Sequence, residues 1–367
     1  MPATIGSRIK ALREKRGQSQ DELSRLFGFK DRQTLSAIET GERKVSAEEL
    51  LRAVQLFGVP LDYFTDPFLL AGEGSFSWRQ SGAPPAALAD YETDAGRLVA
   101  AFRELGAQVG RDAPLFRRSL GLNKQSRLDE AAVAGERFAR ELRLGDVPAE
   151  RLAQIMEFDL RILVLMVDPI KGISGAACRL PDLDVVLINR REPAGRRHFD
   201  LAHELFHLLT WDAMPPEHVE DVATSRTRVE QLADAFASAV LMPRPVLERF
   251  GHWSAFAGDD LISRLNAAAD ELRVTSSALR WRLVSMGCLG KSDASRIAED
   301  KLRHNGRRKP AEEALPPLFS PAFVEVIARA IDQGRVAVRR VSYLLGVSID
   351  DLADLFKTYG VAAPVEL

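Results

Sequence analysis

The stretch His198-Phe-Asp-Leu-Ala-His-Glu-Leu-Phe-His-Leu-Leu-Thr210 decides how this chain is read, because it holds His203-Glu204-x-x-His207 inside an apolar run. On a helix with about 3.6 residues per turn, residues four apart share a face, so His203 and His207 can aim both imidazoles at one metal ion. Glu204 lies about 100° round the helix, beside such an ion rather than on it. A carboxylate so placed can take a proton from metal-bound water, while zinc lowers that water's pKa towards about 7 and polarises the carbonyl under attack. The plain alternative is a helix that carries two unrelated histidines.

A zinc site needs a third protein ligand, and a second helix starting near Val229 offers one. It reads Val-Glu-Gln-Leu-Ala-Asp-Ala-Phe-Ala-Ser-Ala-Val-Leu-Met-Pro243, with Leu232, Ala233, Phe236, Ala237, Val240 and Leu241 at helical spacing. Packed on the first helix, it would bring its first acid, Glu230, to the metal. Asp234, one turn later, could accept the second ring proton of a ligand histidine and fix its tautomer. An ordinary solvated acidic face is the alternative for both residues.

These two segments resemble the ImmA/IrrE metallopeptidases over roughly residues 130 to 250. The resemblance implies a thermolysin-like arrangement with His203, His207 and Glu230 as zinc ligands and Glu204 as the base. The chain departs from the family at Phe206 and at Thr210-Trp211, where many members have Gly before the second histidine and another His shortly after it.

The chain has 367 residues, 46% hydrophobic and 28% charged, which suits two to four core-forming domains. A formal charge of −2 argues against a globally basic nucleic-acid binder but leaves room for a small basic face. The two cysteines, Cys178 and Cys288, have no paired spacing, so neither a disulfide framework nor a thiolate metal site is expected. No apolar leader and no run of about 18 apolar residues is found, and a cytoplasmic location is expected. Phosphate loops, Cys/His clusters and nucleophile elbows are likewise not found.

Residues 1–67 carry short apolar stripes at Ile5, Ile9 and Leu12, at Leu23, Leu26 and Phe27, at Leu35 and Ile38, and at Leu50, Leu51, Val54 and Phe57. Ser19-Gln-Asp-Glu22 is a capping box, and Gly28 suits the turn that follows. Ser19-Gln-x-x-Leu-Ser24, Gly28, Leu35-Ser-x-Ile-Glu39, Gly41 and Leu56-Phe-Gly-Val-Pro60 resemble the helix-turn-helix of Xre/Cro-type repressors. A recognition helix over about Asp31 to Glu39 would offer Arg32, Gln33, Thr34 and Ser36 to base edges or phosphates of double-stranded DNA, and Gln20 could hold a phosphate. Residues 1–67 hold eleven Lys/Arg and ten Asp/Glu, so placement rather than bulk charge would carry affinity. A helical module that docks protein is the alternative.

Residues 68–86 read as a linker interrupted by Phe76-Ser-Trp-Arg79, and residues 87–250 as a helical connector leading into the peptidase domain. Within the latter, Ile162-Leu-Val-Leu-Met-Val167 and Val185-Val-Leu-Ile188 read as strands. Asp184 to Asn189 is read equally as an edge that pairs with substrate or as a buried strand. His218 is weighed as an oxyanion donor against a surface histidine. Residues 251–300 are a helical extension of the peptidase, 301–317 a second linker, and 318–367 a small helical domain without chemistry.

The expected fold class is α+β, mostly α. The expected function is a DNA-binding transcriptional regulator with a zinc metalloendopeptidase domain that cleaves a regulatory protein, by resemblance a repressor, in a stress or mobile-element response. A homodimer is compatible with this reading, and no membrane partner is expected. The rival is a one-component transcription factor whose metal-binding domain senses a ligand and cuts nothing. Retention of Glu204 favours chemistry, since a sensor needs the ligands but not the base.

Overall fold

The computed structural model describes residues 5–111, 115–221, 227–303, 314–362 and 364. The first helices are α1 (Ile5–Lys15), α2 (Gln20–Phe27), α3 (Arg32–Thr40), α4 (Ala47–Phe57) and the single turn α5 (Asp62–Thr65). Local chemistry sets their ends. Ser19 and Ser46 form capping boxes with Glu22 and Glu49, Asp31 accepts the Thr34 N–H, and Gly28, Gly41 and Gly58 close α2, α3 and α4 with positive φ. Ile9, Leu12, Leu23, Phe27, Leu35, Ile38, Ala53, Phe57 and Phe64 form a core of their own. Leu26 and Leu51, expected in that core, face solvent instead, because the two stripes are narrower than the run of leucines suggests.

The remainder is built on a five-stranded mixed sheet. Along the chain come β1 (Ser75–Gln80), α6 (Pro85–Gln108), α7 (Leu128–Glu141), α8 (Pro148–Phe158), β2 (Ile162–Val167), β3 (Ile173–Arg179), β4 (Asp184–Asn189), α9 (Ala194–Thr210), β5 (Val219–Asp221) and α10 (Arg228–Leu241). They are followed by α11 (Arg244–Glu248), α12 (Gly258–Leu272), α13 (Ser276–Ser285), α14 (Lys291–Arg296), α15 (Pro321–Asp332), α16 (Val338–Leu345) and α17 (Ile349–Thr358). The strand order is β2-β4-β3-β1-β5. Pairings β2–β4 and β1–β5 are parallel, and β3 is antiparallel to both of its neighbours.

Both faces of the sheet are covered. Ile162, Val164, Ala177, Val186 and Ile188 pack with α7 to α10, α12 and α13, whereas Leu163, Leu165, Ala176, Cys178, Val185 and Leu187 pack with α6 and α15 to α17. This explains why the strands read as continuous apolar runs without alternation. The expected mostly helical α+β class is observed, and the residues picked out by periodicity on α10 are all buried. Among the described residues no helix is long and apolar enough to cross a membrane.

Two expectations need correction, and one open alternative is decided. The linker 68–86 contains β1, an internal strand whose Trp78 is fully buried; its partner strand lies about a hundred residues downstream, out of reach of a local reading. Asp184 to Asn189 is not an edge, since β4 lies between β2 and β3. Among the described residues, 318–362 and 364 have no core of their own: Phe323 stacks on Phe102 of α6 at 6.0 Å, and Phe319 bridges Met166 of β2. In the linker 301–317, residues 304–313 lie outside the described residues.

Candidate metal centre

Helix α9 lies against β3 and β4 and is buried over its whole second half, from Leu201 to Thr210. That burial is why its sequence is apolar apart from the motif. Gly175 on β3 permits the close approach, because a Cβ there would lie 3.0 Å from the Leu187 carbonyl oxygen and 3.7 Å from Cγ of Glu204. Thr227 caps α10 by accepting the Glu230 N–H. Phe206 packs on Phe236 with ring centroids 5.6 Å apart, so the residue that departs from the family pattern fills the α9–α10 contact. Gly135 on α7 lets α10 approach from the other side.

This packing brings the expected ligands together. Nε2 of His203 lies 3.1 Å from Nε2 of His207 and 3.0 Å from Oε2 of Glu230, and Nε2 of His207 lies 3.5 Å from Oε1 of Glu230. Two ring nitrogens that face each other at this distance repel unless a proton or a cation lies between them. Asp234 accepts a hydrogen bond from Nδ1 of His203 at 2.9 Å, which turns the lone pair of Nε2 towards the centre. Among the described residues, Oε1 of Glu204, Oε1 of Glu230 and Nδ1 of His207 are buried without a hydrogen-bond partner. Converging nitrogen and oxygen donors with orphaned polar atoms fit a divalent cation.

The structure adds two residues that the sequence reading missed. Glu220, on the three-residue strand β5, places Oε2 3.7 Å from Nε2 of His207. His203, His207, Glu220 and Glu230 each offer a ligand atom, all within 4.8 Å of one another. Arg79, on β1 opposite Glu220, is buried and pairs with Asp200, their closest atoms 3.5 Å apart. No sequence signal marks either residue: β5 is too short for periodicity, and Arg79 lies among Gly, Ser and Pro that read as linker.

Electrostatics follow from this crowding of charge. Burial favours the neutral carboxyl of Glu204 and pushes its pKa up to about 7. Burial and the neighbouring carboxylate of Glu230 raise Glu220 to about 9, while Glu230, in spite of its own burial, is held down to about 2 by His203. Burial opposes charge on both rings. His203 overcomes it through Asp234 and Glu230 and rises to about 10, whereas His207 beside it falls to about 3.

The remaining expected positions lie elsewhere. The His218 ring is mostly exposed and sits 2.6 Å from Oε2 of Glu92, and it is not part of the cluster. In the first helices, Arg32 and Gln33 are exposed on the first turn of α3, with Thr34 and Ser36 half-buried. Thr34 bonds Asp31 through both its N–H and its hydroxyl. The Gln20 amide donates to Glu39, which also binds Arg13 through two nitrogens at 2.6 and 2.9 Å; the network ties α1, α2 and α3 together.

Comparison with known proteins agrees with this division. Residues 9–64 match a family model described as helix-turn-helix, and residues 163–283 match a peptidase family model described as IrrE N-terminal-like domain. The second match begins later than the resemblance noted above and runs on into α13, whose Leu279 and Leu283 share the α9–α10 core. No curated protein and no solved structure matches the chain. The chain is thus a fusion of an Xre-type helix-turn-helix DNA-binding module with an IrrE-type domain of a peptidase family.

Proposed function

We propose that this protein is a DNA-binding transcriptional regulator whose second module is a zinc metalloendopeptidase that cuts a regulatory protein, a repressor by family resemblance, in a stress or mobile-element response. The observation that carries the peptidase reading is Glu204: its carboxyl is buried beside the converged donors, with one oxygen unpartnered among the described residues. A site that only senses a ligand has no use for that group. His203, His207 and Glu230 would hold the ion, which supplies Lewis acidity towards water and the carbonyl of the bond to be cut. Glu204 takes the proton of the attacking water and delivers it to the leaving amine nitrogen. Asp234 holds the His203 ring in one tautomer. Arg79 offsets part of the charge of Asp200 and the neighbouring acids.

The deciding experiment compares wild type with Glu204→Gln in the native host, by proteomics for fragments present only with wild type. Identical fragments and identical transcripts under the inducing stress would leave the ligand-sensor reading in its place. The DNA reading has its own test. Arg32→Ala and Gln33→Ala should each weaken specific binding by about 1 to 3 kcal/mol if they touch bases. Fragments upstream of the protein's own gene are the first to try in a mobility-shift assay, and the lack of any retarded band at low salt would favour a protein-docking module.

A further inference from the structure

We infer that Glu220 is a fourth protein ligand, delivered by the edge strand β5, and that it closes the coordination shell of the metal in the described state. The inference rests on the metal-centre reading above and goes beyond it, since the motif and the second helix supply only three ligands.

Three observations carry it. First, Oε2 of Glu220 belongs to the same set of converging donor atoms as the two histidines and Glu230, and it lies 3.7 Å from Nε2 of His207. Second, Glu220 is buried, and its strand is tied to β1 along one side: β5 pairs in parallel with β1, the Trp78 N–H donates to the His218 carbonyl, and both the His218 ring and the Trp78 indole N–H bond Glu92. Third, the charge requires compensation. Asp200, Glu204, Glu230 and Asp234 act on one buried guanidinium, Arg79, Asp200 pairing also with the partly exposed Arg196, and Glu220 is packed beside Glu230 with no cation of its own against it among the described residues. Two carboxylates and two neutral imidazoles around a dication form a neutral unit, which makes the burial of Glu220 beside Glu230 tolerable.

A shell of four protein ligands is the mark of a structural zinc site, whereas a catalytic one keeps a position open. Here the fourth ligand stands on a strand of only three residues, paired along one side with β1. Displacing β5 withdraws Glu220 and leaves the three-ligand site with its base, Glu204. Glu220 is therefore a latch on the centre that the other ligands build.

The test uses the purified full-length protein. Zinc affinity is measured by competition with a chromophoric chelator, for wild type, Glu220→Gln and Glu220→Ala. Both variants should bind one zinc about tenfold or more weakly, since even partners outside the ligand shell act on that scale. In the Co2+-loaded proteins, azide should leave the wild-type visible spectrum unchanged and produce a saturable change in Glu220→Ala. Unchanged zinc affinity in both variants would remove Glu220 from the shell while leaving the metal centre intact. A wild-type cobalt spectrum that responds to azide would do the same without relying on the folding of any variant. A wild type that binds no metal at all would overturn the reading on which this one stands.

Discussion

Replacing Glu204 by Gln is expected to lower cleavage by a factor on the order of 10² or more, the usual scale for loss of a general base, with bound zinc, fold and DNA affinity unchanged. The asymmetry with its neighbours makes the prediction sharp. His203→Ala, His207→Ala and Glu230→Ala should lose both cleavage and zinc, because these three aim lone pairs at one point whereas Glu204 lies beside it. Asp234→Asn should keep zinc at an affinity about 10 to 100 times weaker, since it touches only the far nitrogen of His203. Elemental analysis and chelator competition report the metal, and the yield of the wild-type-specific fragment reports cleavage. Full zinc occupancy in Glu230→Ala would remove that residue from the site. Loss of zinc in Glu204→Gln would show that its role is to bind, not to move a proton.

A second large effect should come from a residue with no side chain. A Cβ on Gly135 would lie 2.6 Å from the Phe236 carbonyl oxygen, 3.0 Å from Cβ of Ala239 and 3.1 Å from the Val240 nitrogen. Two of these neighbours are backbone atoms of α10 and cannot move without moving the helix. Gly135→Val should therefore destabilise the protein by about 3 kcal/mol or more. Calorimetry should show a fall in melting temperature of roughly 6 to 12 °C. Because α10 carries Glu230 and Asp234, zinc affinity should fall with it. A variant with both quantities unchanged would mean that α7 and α10 are less closely packed than described.

The legibility of this site from sequence followed the range of its contacts. His203, Glu204 and His207 belong to a single helix, and Glu230 and Asp234 to another, so 3.6-residue periodicity puts each on a helix face, and the structure brings His203, His207 and Glu230 together. Ser19, Gly28 and Gly41 were equally readable, because caps and turns are local chemistry. Glu220 and Arg79 depend on which strands pair. Arg79 meets Gly175 and Glu220, residues far along the chain, and nothing in Ser75–Gln80 announces them. The same cause made β4 ambiguous, because two buried faces erase alternation, and made the last three helices look like a separate domain.

The placement of β1 also sets a timetable for maturation. The core of the first helices uses only residues up to Phe64, so it can close soon after those residues are made. The core on the outer face of the sheet joins Phe76 and Trp78 to Phe356, almost the two ends of the remaining chain. At about 5 to 20 residues per second, translation separates Phe64 from Phe356 by roughly 15 to 60 s. Until β3 (Ile173–Arg179) has been made β1 has no strand to pair with, and long-range pairing of this kind is slow even once the chain is complete. The nascent chain should therefore be competent for DNA well before Glu220, Arg79 and the α9–α10 pair meet. Limited proteolysis of ribosome-bound chains halted near residue 150, before β3 is made, should find residues 5–65 protected and Ser75–Gln80 still open to attack.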